Sequence, residues 1–293
     1  MGKNFNKIIA IVGPTGSGKT TWVKILAQKF NGKVISADSR QVYKGMDIGT
    51  DKDKTFSQAL TDIINPDKPF SVSEYQAQAE KLIDQYLTMK ALPMIAGGTG
   101  LYLDAVLYGY MIPNLKKESL ELRKKLEKLR DSDLFQKLKE YDPASAQKID
   151  PKNRRRIIRA LEVSILAKKP FSKLQKKKPR YKSLIIGIKV DRETLYSKID
   201  ARVDQMIKEG LVEEVRELLK KYREDLPALN SIGYKEIIDY LKGRQTLRVA
   251  IQKIKFNTHA YVRRQMTWFR RDKKIHWVKS VNQAERLIGK FIK

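Results

Sequence analysis

Apolar positions in this chain fall into two patterns: short unbroken runs, and longer stretches spaced to form one face of a helix. Ile8 to Val12 is a run too short for a helix that stops at Gly13-Pro14, so it predicts a buried parallel strand feeding a loop. Beyond the loop, Trp22, Ile25, Leu26 and Phe30 recur at helical spacing and predict one apolar face. Lys33 to Ala37 reads as a second strand and Tyr75 to Met89 as an amphipathic helix. Pro93 to Ala96 reads as a third strand and Leu184 to Val190 as a fourth. Strands alternating with helices predict an α/β fold with a mostly parallel sheet covered on both faces.

Between the third and fourth strands, Pro113 to Lys169 is highly charged and helical throughout in its periodicity, which places it outside the sheet as an inserted all-helical domain. It closes with "KKPFSKLQKKKPRYKS", Lys168 to Ser183, where two prolines and eight basic residues argue against a regular element and mark a loop or linker. A solvated tether and an RNA contact explain that run equally well. Further helices are expected over Thr194 to Tyr222, Lys235 to Leu241 and Leu247 to Arg271, with an edge strand at Ile275 to Val278. No internal repeat appears. The expected organisation is a first core segment at 1–112, the helical insertion at 113–182, and a second core segment at 183–293.

Charge changes the picture. With 61 Lys and Arg against 33 Asp and Glu, the formal net charge is +28, which points to a polyanionic partner, nucleic acid first. An anionic membrane surface is the rival. However, no run reaches the roughly 18 apolar residues of a spanning helix, and the amino terminus lacks the apolar core of a signal peptide, so a cytoplasmic protein is expected. The chain has no cysteine and only His259 and His276, which excludes disulfides and a structural zinc site.

Candidate chemistry starts at "GPTGSGKT", where Gly13, Pro14, Thr15, Gly16, Ser17, Gly18, Lys19 and Thr20 fit the phosphate-loop pattern, with a strand before and a helix after. Glycines let backbone N–H groups converge on phosphate oxygens, Lys19 adds a point charge, and the Thr20 hydroxyl can ligate Mg²⁺. A nucleotide hydrolase or kinase also needs an acid after a strand. "LPMIAGGTG" offers none, and Asp191 in "SLIIGIKVD" could serve but reads first as an ordinary helix-start residue before "RETLY". "SADSRQVYKGMDIGT" sets Asp38 at a strand's carboxyl end, where ligands bind in open sheets, and Asp38 can bind metal, cap a turn or act as a base. "AGGTGLYLDAV" sets Thr99 at the next strand end, either as a hydroxyl donor to phosphate or in a plain turn. In "PKNRRRIIRALEVSILAKK", Arg155, Arg156 and Arg159 share a helix face, and the charge surplus favours phosphate-backbone contact over a solvated face. In "HAYVRRQMTWFRRDKKIHW", Tyr261, Val262, Met266 and Phe269 keep core spacing, which leaves the arginines outward.

"GPTGSGKT", "SADSRQVYKGMDIGT", "GGTGLY", "RRIIRALEV", "GLVEEVREL" and "RRQMTWFRR" occur in the order found in the tRNA dimethylallyltransferase (tRNA isopentenyltransferase) family, and the resemblance covers nearly the whole chain. It implies a P-loop NTPase-like sheet that carries out a different reaction. A dimethylallyl group passes from its diphosphate to N6 of the adenosine 3′-adjacent to the anticodon (position 37) of tRNAs reading UNN codons, and diphosphate leaves. The resemblance also implies Asp38 as base, Gly13 to Thr20 and Arg202 on the diphosphate, and Thr99 on its bridging oxygen. Asp38, Ser39, Arg40 and Gln41 would grip the target nucleotide, and Arg123, Arg155, Arg156, Ile157, Ile158 and Arg159 would contact tRNA. Mg²⁺ is the implied cofactor and the anticodon stem-loop the partner, met by a monomer without a membrane. After "DIGT" the family usually reads "AKP" and later a histidine-containing "PHHLID"-like stretch. This chain has the shorter "DKDKTFSQALTDIINP" with no histidine. The bacterial type is expected, since no zinc-finger extension follows. The competing readings are a phosphoryl transferase or NTPase using Asp191, a nucleotide-gated RNA-binding module, and a free-adenylate prenyltransferase. The basic surplus and the insertion argue against the last.

Overall fold

The computed structural model describes residues 6–110, 118–174 and 178–293, with backbone alone at 118–120. In chain order the elements begin with β1 (Lys7–Val12), α1 (Lys19–Lys29), β2 (Gly32–Ser36), α2 (Val72–Thr88), β3 (Leu92–Gly97) and α3 (Gly100–Leu107). The helices α4 (Glu118–Glu127), α5 (Asp131–Tyr141), α6 (Pro143–Ala146), α7 (Arg154–Leu166) and α8 (Phe171–Leu174) follow. Next come β4 (Lys182–Ile188), α9 (Arg192–Lys208), α10 (Leu211–Lys221), α11 (Tyr234–Leu241), α12 (Leu247–Phe269), β5 (Ile275–Val278) and α13 (Val281–Ile292).

The five strands form one parallel sheet in the order β2-β3-β1-β4-β5, so the α/β expectation holds and Ile275–Val278 is an edge strand. Alternation within β1 sends Ile9 and Ile11 to the face shared with Val23 and Leu26 of α1 and Ala284 and Ile288 of α13. β1 is central, and the chain runs from it to β2 on one side while β4 lies on the other. That reversal is the switch point at which an open sheet leaves a crevice beyond its carboxyl ends. Behind it, α9 to α12 and the Val42–Met46 loop bury a second core that includes Ile199, Val203, Leu211, Tyr234 and Val262.

Four local expectations need correction. Ile25 is 43% exposed, and α1 instead buries Val23, Leu26 and Ala27, because a helix lying on a flat sheet uses a narrower stripe. The helix expected over 194–222 is two helices, broken at Gly210, whose φ of 100° lies outside the helical region. Residues 171–174 form a helical turn inside the expected linker. The Phe171 N–H donates to Ser164 Oγ at 2.9 Å, and the Ser172 N–H donates to Asp142 Oδ2 at 2.7 Å, tying the chain down. Gln175, Lys176 and Lys177 of that linker lie outside the described residues, as does the expected boundary at Pro113. The fourth case is α13, where no element was expected although Val281, Ala284, Leu287, Ile288 and Phe291 recur at helical spacing.

Two compact units emerge, Met1–Leu107 with Arg180–Lys293, and Tyr108–Pro179. The second has its own core of Leu126, Leu134, Leu138, Ile157, Ile158 and Leu161. Among the described residues no helix is long and apolar enough to cross a membrane.

Candidate active site

The turn out of β1 curls because Gly16 and Gly18 both sit at φ 81°, in the left-handed region, and Gly18 then starts α1 without a side-chain cap. α1 carries no acid in its first turn, which leaves its amide-rich end suited to an anion. The Lys19 ammonium folds back and donates to the Pro14 carbonyl at 2.8 Å. Packing against the loop lowers its pKa from 10.5 to about 8. Asp38 and Asp51 oppose that shift, and Arg202 adds to it. The Ser17 hydroxyl is buried without a protein partner.

A cavity of about 280 Å³ opens over this loop, lined among others by Lys19, Thr20, Asp38, Gln41, Asp51 and Arg202. Asp38 follows β2, and its Oδ1 accepts from the Arg40 N–H at 2.8 Å and the Gln41 N–H at 3.4 Å, so it caps its own turn while facing the cleft. Arg202 projects from α9 and donates to Asp51 Oδ2 at 2.8 Å. Gln41 donates to the Thr50 carbonyl at 3.1 Å and accepts from the Ser36 hydroxyl at 3.1 Å, linking β2 to the loop that carries Asp51. Arg40 points its guanidinium at the Pro227 carbonyl, 3.0 Å away.

Thr99 lies beside the cavity and is not among its lining residues. Its Oγ1 accepts from the Ser39 N–H at 3.0 Å and donates to Ser39 Oγ at 3.3 Å, so the ends of β2 and β3 are fastened together. Gly97 makes this possible, since a Cβ there would stand 2.2 Å from the Ala37 carbonyl oxygen. Tyr261 of α12 also meets the Thr99 side chain. Burial raises its phenol to about 12, and the Asp38 carboxylate adds to the rise.

Several residues of the site escape sequence reading. Glu214 accepts from the backbone N–H groups of Asp47 (2.9 Å), Ile48 (2.7 Å) and Gly49 (3.2 Å) and from the Tyr234 hydroxyl (2.6 Å), anchoring the loop that presents Asp51. Asp51 and Lys198 line the cleft unannounced. The one available signal is position, directly after "DIGT" for Asp51 and within "GLVEEVREL" for Glu214. Asp191 accepts from the Thr194 N–H at 2.8 Å as the cap of α9, and hydrogen bonding from the Thr194 side chain and then its N–H holds it below the usual carboxylate range. It is a helix-start residue outside the cleft lining, which removes Asp191 as the acid of the hydrolase reading.

Among the described residues no three His or carboxylate side chains gather into a metal cage. The Thr20 hydroxyl and the Asp38 and Asp51 carboxylates are nonetheless hard oxygen donors beside a phosphate cradle, the set that Mg²⁺ accepts when substrate phosphates complete its shell.

In the helical unit, Arg155 and Arg156 are exposed on α7, whereas Ile157 and Ile158 are 1% and 3% exposed inside its core. Those two side chains pack into the core and hold the helix in place, so any RNA contact of this segment falls to its backbone and to the neighbouring arginines. Glu162 is fully buried, with Arg159 Nη1 at 3.5 Å and Arg123 Nε at 4.0 Å, so these two arginines share one buried carboxylate.

The IPP transferase family matches residues 41–272. A tRNA dimethylallyltransferase of Oceanobacillus iheyensis is 42% identical over 93% of this chain and 90% of its own length. One from Natranaerobius thermophilus is 45% identical over 92% and 86%. Among solved structures, the full-length tRNA isopentenylpyrophosphate transferase of Bacillus halodurans superposes with a TM-score of 0.73 at 38% identity, covering 98% and 95% of the two chains. A eukaryotic dimethylallyltransferase acting on tRNA superposes at 0.81 with 26% identity, over 93% of this chain and 73% of that one.

Proposed function

This chain belongs to the IPP transferase family of tRNA dimethylallyltransferases, and from that premise we propose that it moves a dimethylallyl group from dimethylallyl diphosphate to N6 of the adenosine at position 37 of tRNAs reading UNN codons. The observation that carries the reading is a single cleft in which a glycine-rich phosphate cradle, Lys19 and Arg202 face Asp38.

Adenine N6 is a poor nucleophile because its lone pair is delocalised into the ring, so transfer gains from a base that takes its proton as the new bond forms. Asp38 supplies that base. The allylic C–O bond breaks with its electron pair going to the diphosphate, the N6–C bond forms, and the N6 proton goes to the Asp38 carboxylate. Charge developing on the leaving oxygens meets the amides of the loop, the Lys19 ammonium and the Arg202 guanidinium, donors oriented before the reaction begins. Thr99, held beside the cleft by Ser39, would turn its hydroxyl from Ser39 Oγ to the bridging oxygen of the diphosphate. Mg²⁺ would be held by Thr20 and would supply charge neutralisation on the diphosphate. The target base must leave its stack, which is easier from an anticodon loop than from a duplex, and the arginines of the helical unit bind the flanking phosphates. A cytoplasmic monomer fits this substrate.

Purified protein, dimethylallyl diphosphate, Mg²⁺ and unmodified tRNA, without ATP, should yield prenylated adenosine detectable by nucleoside mass spectrometry. An absolute need for ATP, or terminal phosphate of a triphosphate appearing on an acceptor, would overturn the proposal.

A further inference from the structure

α12 meets the end of β3 along one stripe, at Tyr261, Gln265 and Trp268, residues four and then three apart and therefore on one side of the helix. Tyr261 reaches the Thr99 side chain. Trp268 Nε1 donates to Asp104 Oδ2 at 3.1 Å, and its indole lies where a Cβ on Gly100 would come within 2.4 Å. Between them sits Gln265, a polar side chain only 5% exposed. Its Oε1 accepts from the Thr15 N–H at 3.0 Å, and its Nε2 donates to the Gly98 carbonyl at 2.9 Å.

These two bonds join the phosphate loop after β1 to the turn after β3 that carries Thr99. The Thr15 amide is tied to Gln265 while Thr15, Gly16, Gly18, Lys19 and Thr20 line the cleft. Gly98 is the matching adaptation, because a Cβ there would lie 2.3 Å from Gln265 Nε2. A buried amide that uses both ends on backbone groups of two separate loops sets the distance between those loops, since losing either bond leaves a buried polar group unpaired.

We infer that Gln265 is a positioning residue for the transfer reaction, holding the phosphate cradle and the Thr99 turn in the one relative placement that receives a diphosphate. The inference rests on reading this cleft as the diphosphate site. It extends that reading to a side chain on a distant helix that touches no substrate. Preorganised donors lose their advantage when displaced by a fraction of an ångström, so loosening this brace should weaken pyrophosphate binding and turnover together, without touching tRNA affinity.

The test compares the parent protein with Gln265→Met, close in length but without hydrogen bonds, and with Gly98→Ala, which evicts the amide from the opposite side. Affinity for inorganic pyrophosphate with Mg²⁺, measured by titration calorimetry, reads the cradle independently of prenylation, so failure here is separable from failure of the proposed reaction. Each variant should bind pyrophosphate about tenfold more weakly and lower kcat to a similar degree, with the Kd for tRNA within about twofold of the parent. The double variant should be little worse than either single one, because both remove the same contact. A change in pyrophosphate affinity below about threefold in Gln265→Met overturns the inference, as does an equal loss of tRNA binding, which marks general destabilisation. If Gln265→Met does not fold, Gly98→Ala alone decides by the same thresholds. A parent protein that binds no pyrophosphate also overturns it.

Discussion

In the sheet unit, the cations of the cleft are held. Lys19 is folded onto the Pro14 carbonyl and Arg202 is paired with Asp51, and both line the same cleft. In the helical unit, Arg155 and Arg156 stand exposed on α7, while Arg123 and Arg159 lean on the buried Glu162. Placement separates the two sets. Partly desolvated, oriented charges couple strongly to a charge that appears during a reaction. Solvated charges act mainly by displacing counterions from a nucleic-acid backbone, which contributes affinity that salt removes. The surplus of 28 positive charges is therefore not one property, and variants should divide it.

The sharpest division comes from Asp38→Asn. It keeps the turn-capping oxygen but cannot accept the N6 proton, so kcat should fall about 10³-fold while tRNA affinity stays within about twofold. Single-turnover kinetics and filter binding measure the two, and parental turnover would remove Asp38 as base. A smaller effect with the opposite pattern is expected from replacing Arg155, Arg156 and Arg159 by Ala together. At about 0.1 M salt the Kd for tRNA should rise roughly ten- to hundredfold, and the plot of log affinity against log salt should flatten by about 2 in slope, with kcat at saturating tRNA little changed. An unchanged slope would return this face to ordinary solvation.

The smallest effect is a pH dependence belonging to Lys19, whose proton is held to about 8 in the folded chain against 10.5 in its ordinary environment. Between these values the unfolded chain binds more protons, so stability should rise with pH as the cost of the buried ammonium is relieved. Diphosphate binding runs the other way because it favours the ammonium. Affinity for dimethylallyl diphosphate, whose phosphates are ionised by about pH 8, should weaken above that value by up to about tenfold per pH unit. The slope should disappear in Lys19→Met, and a flat profile in the parent would show that Lys19 stays charged throughout.

Strand order and helix placement were legible because apolar runs and helical spacing are local consequences of burial, as Ile8–Val12 and α12 show. The phosphate loop was legible because its glycines answer a local need for positive φ. α13 is the exception, since Val281, Ala284, Leu287, Ile288 and Phe291 keep helical spacing behind the Ser280 cap and the element was locally legible although no helix was expected there. Gln265 was passed over because a glutamine within a helix among arginines carries no mark of the two backbone groups it joins, 250 and 167 residues away. Glu214 looked like one of many helix-surface acids until three amides of another segment converged on it.

The sequence by itself determined the parallel sheet and the glycine-rich loop, which depend on neighbours within a few residues, and its total charge pointed to a polyanionic partner, while the reaction class came from the resemblance to the tRNA dimethylallyltransferase family. Only the tertiary structure decided that Asp191 caps a helix, that Ile157 and Ile158 belong to a core, and that Asp51, Glu214 and Gln265 serve the cleft. The physical reason is that a hydrogen bond reaches only about 3 Å, so which distant groups meet across it depends on how whole elements pack and on nothing that either local stretch encodes alone.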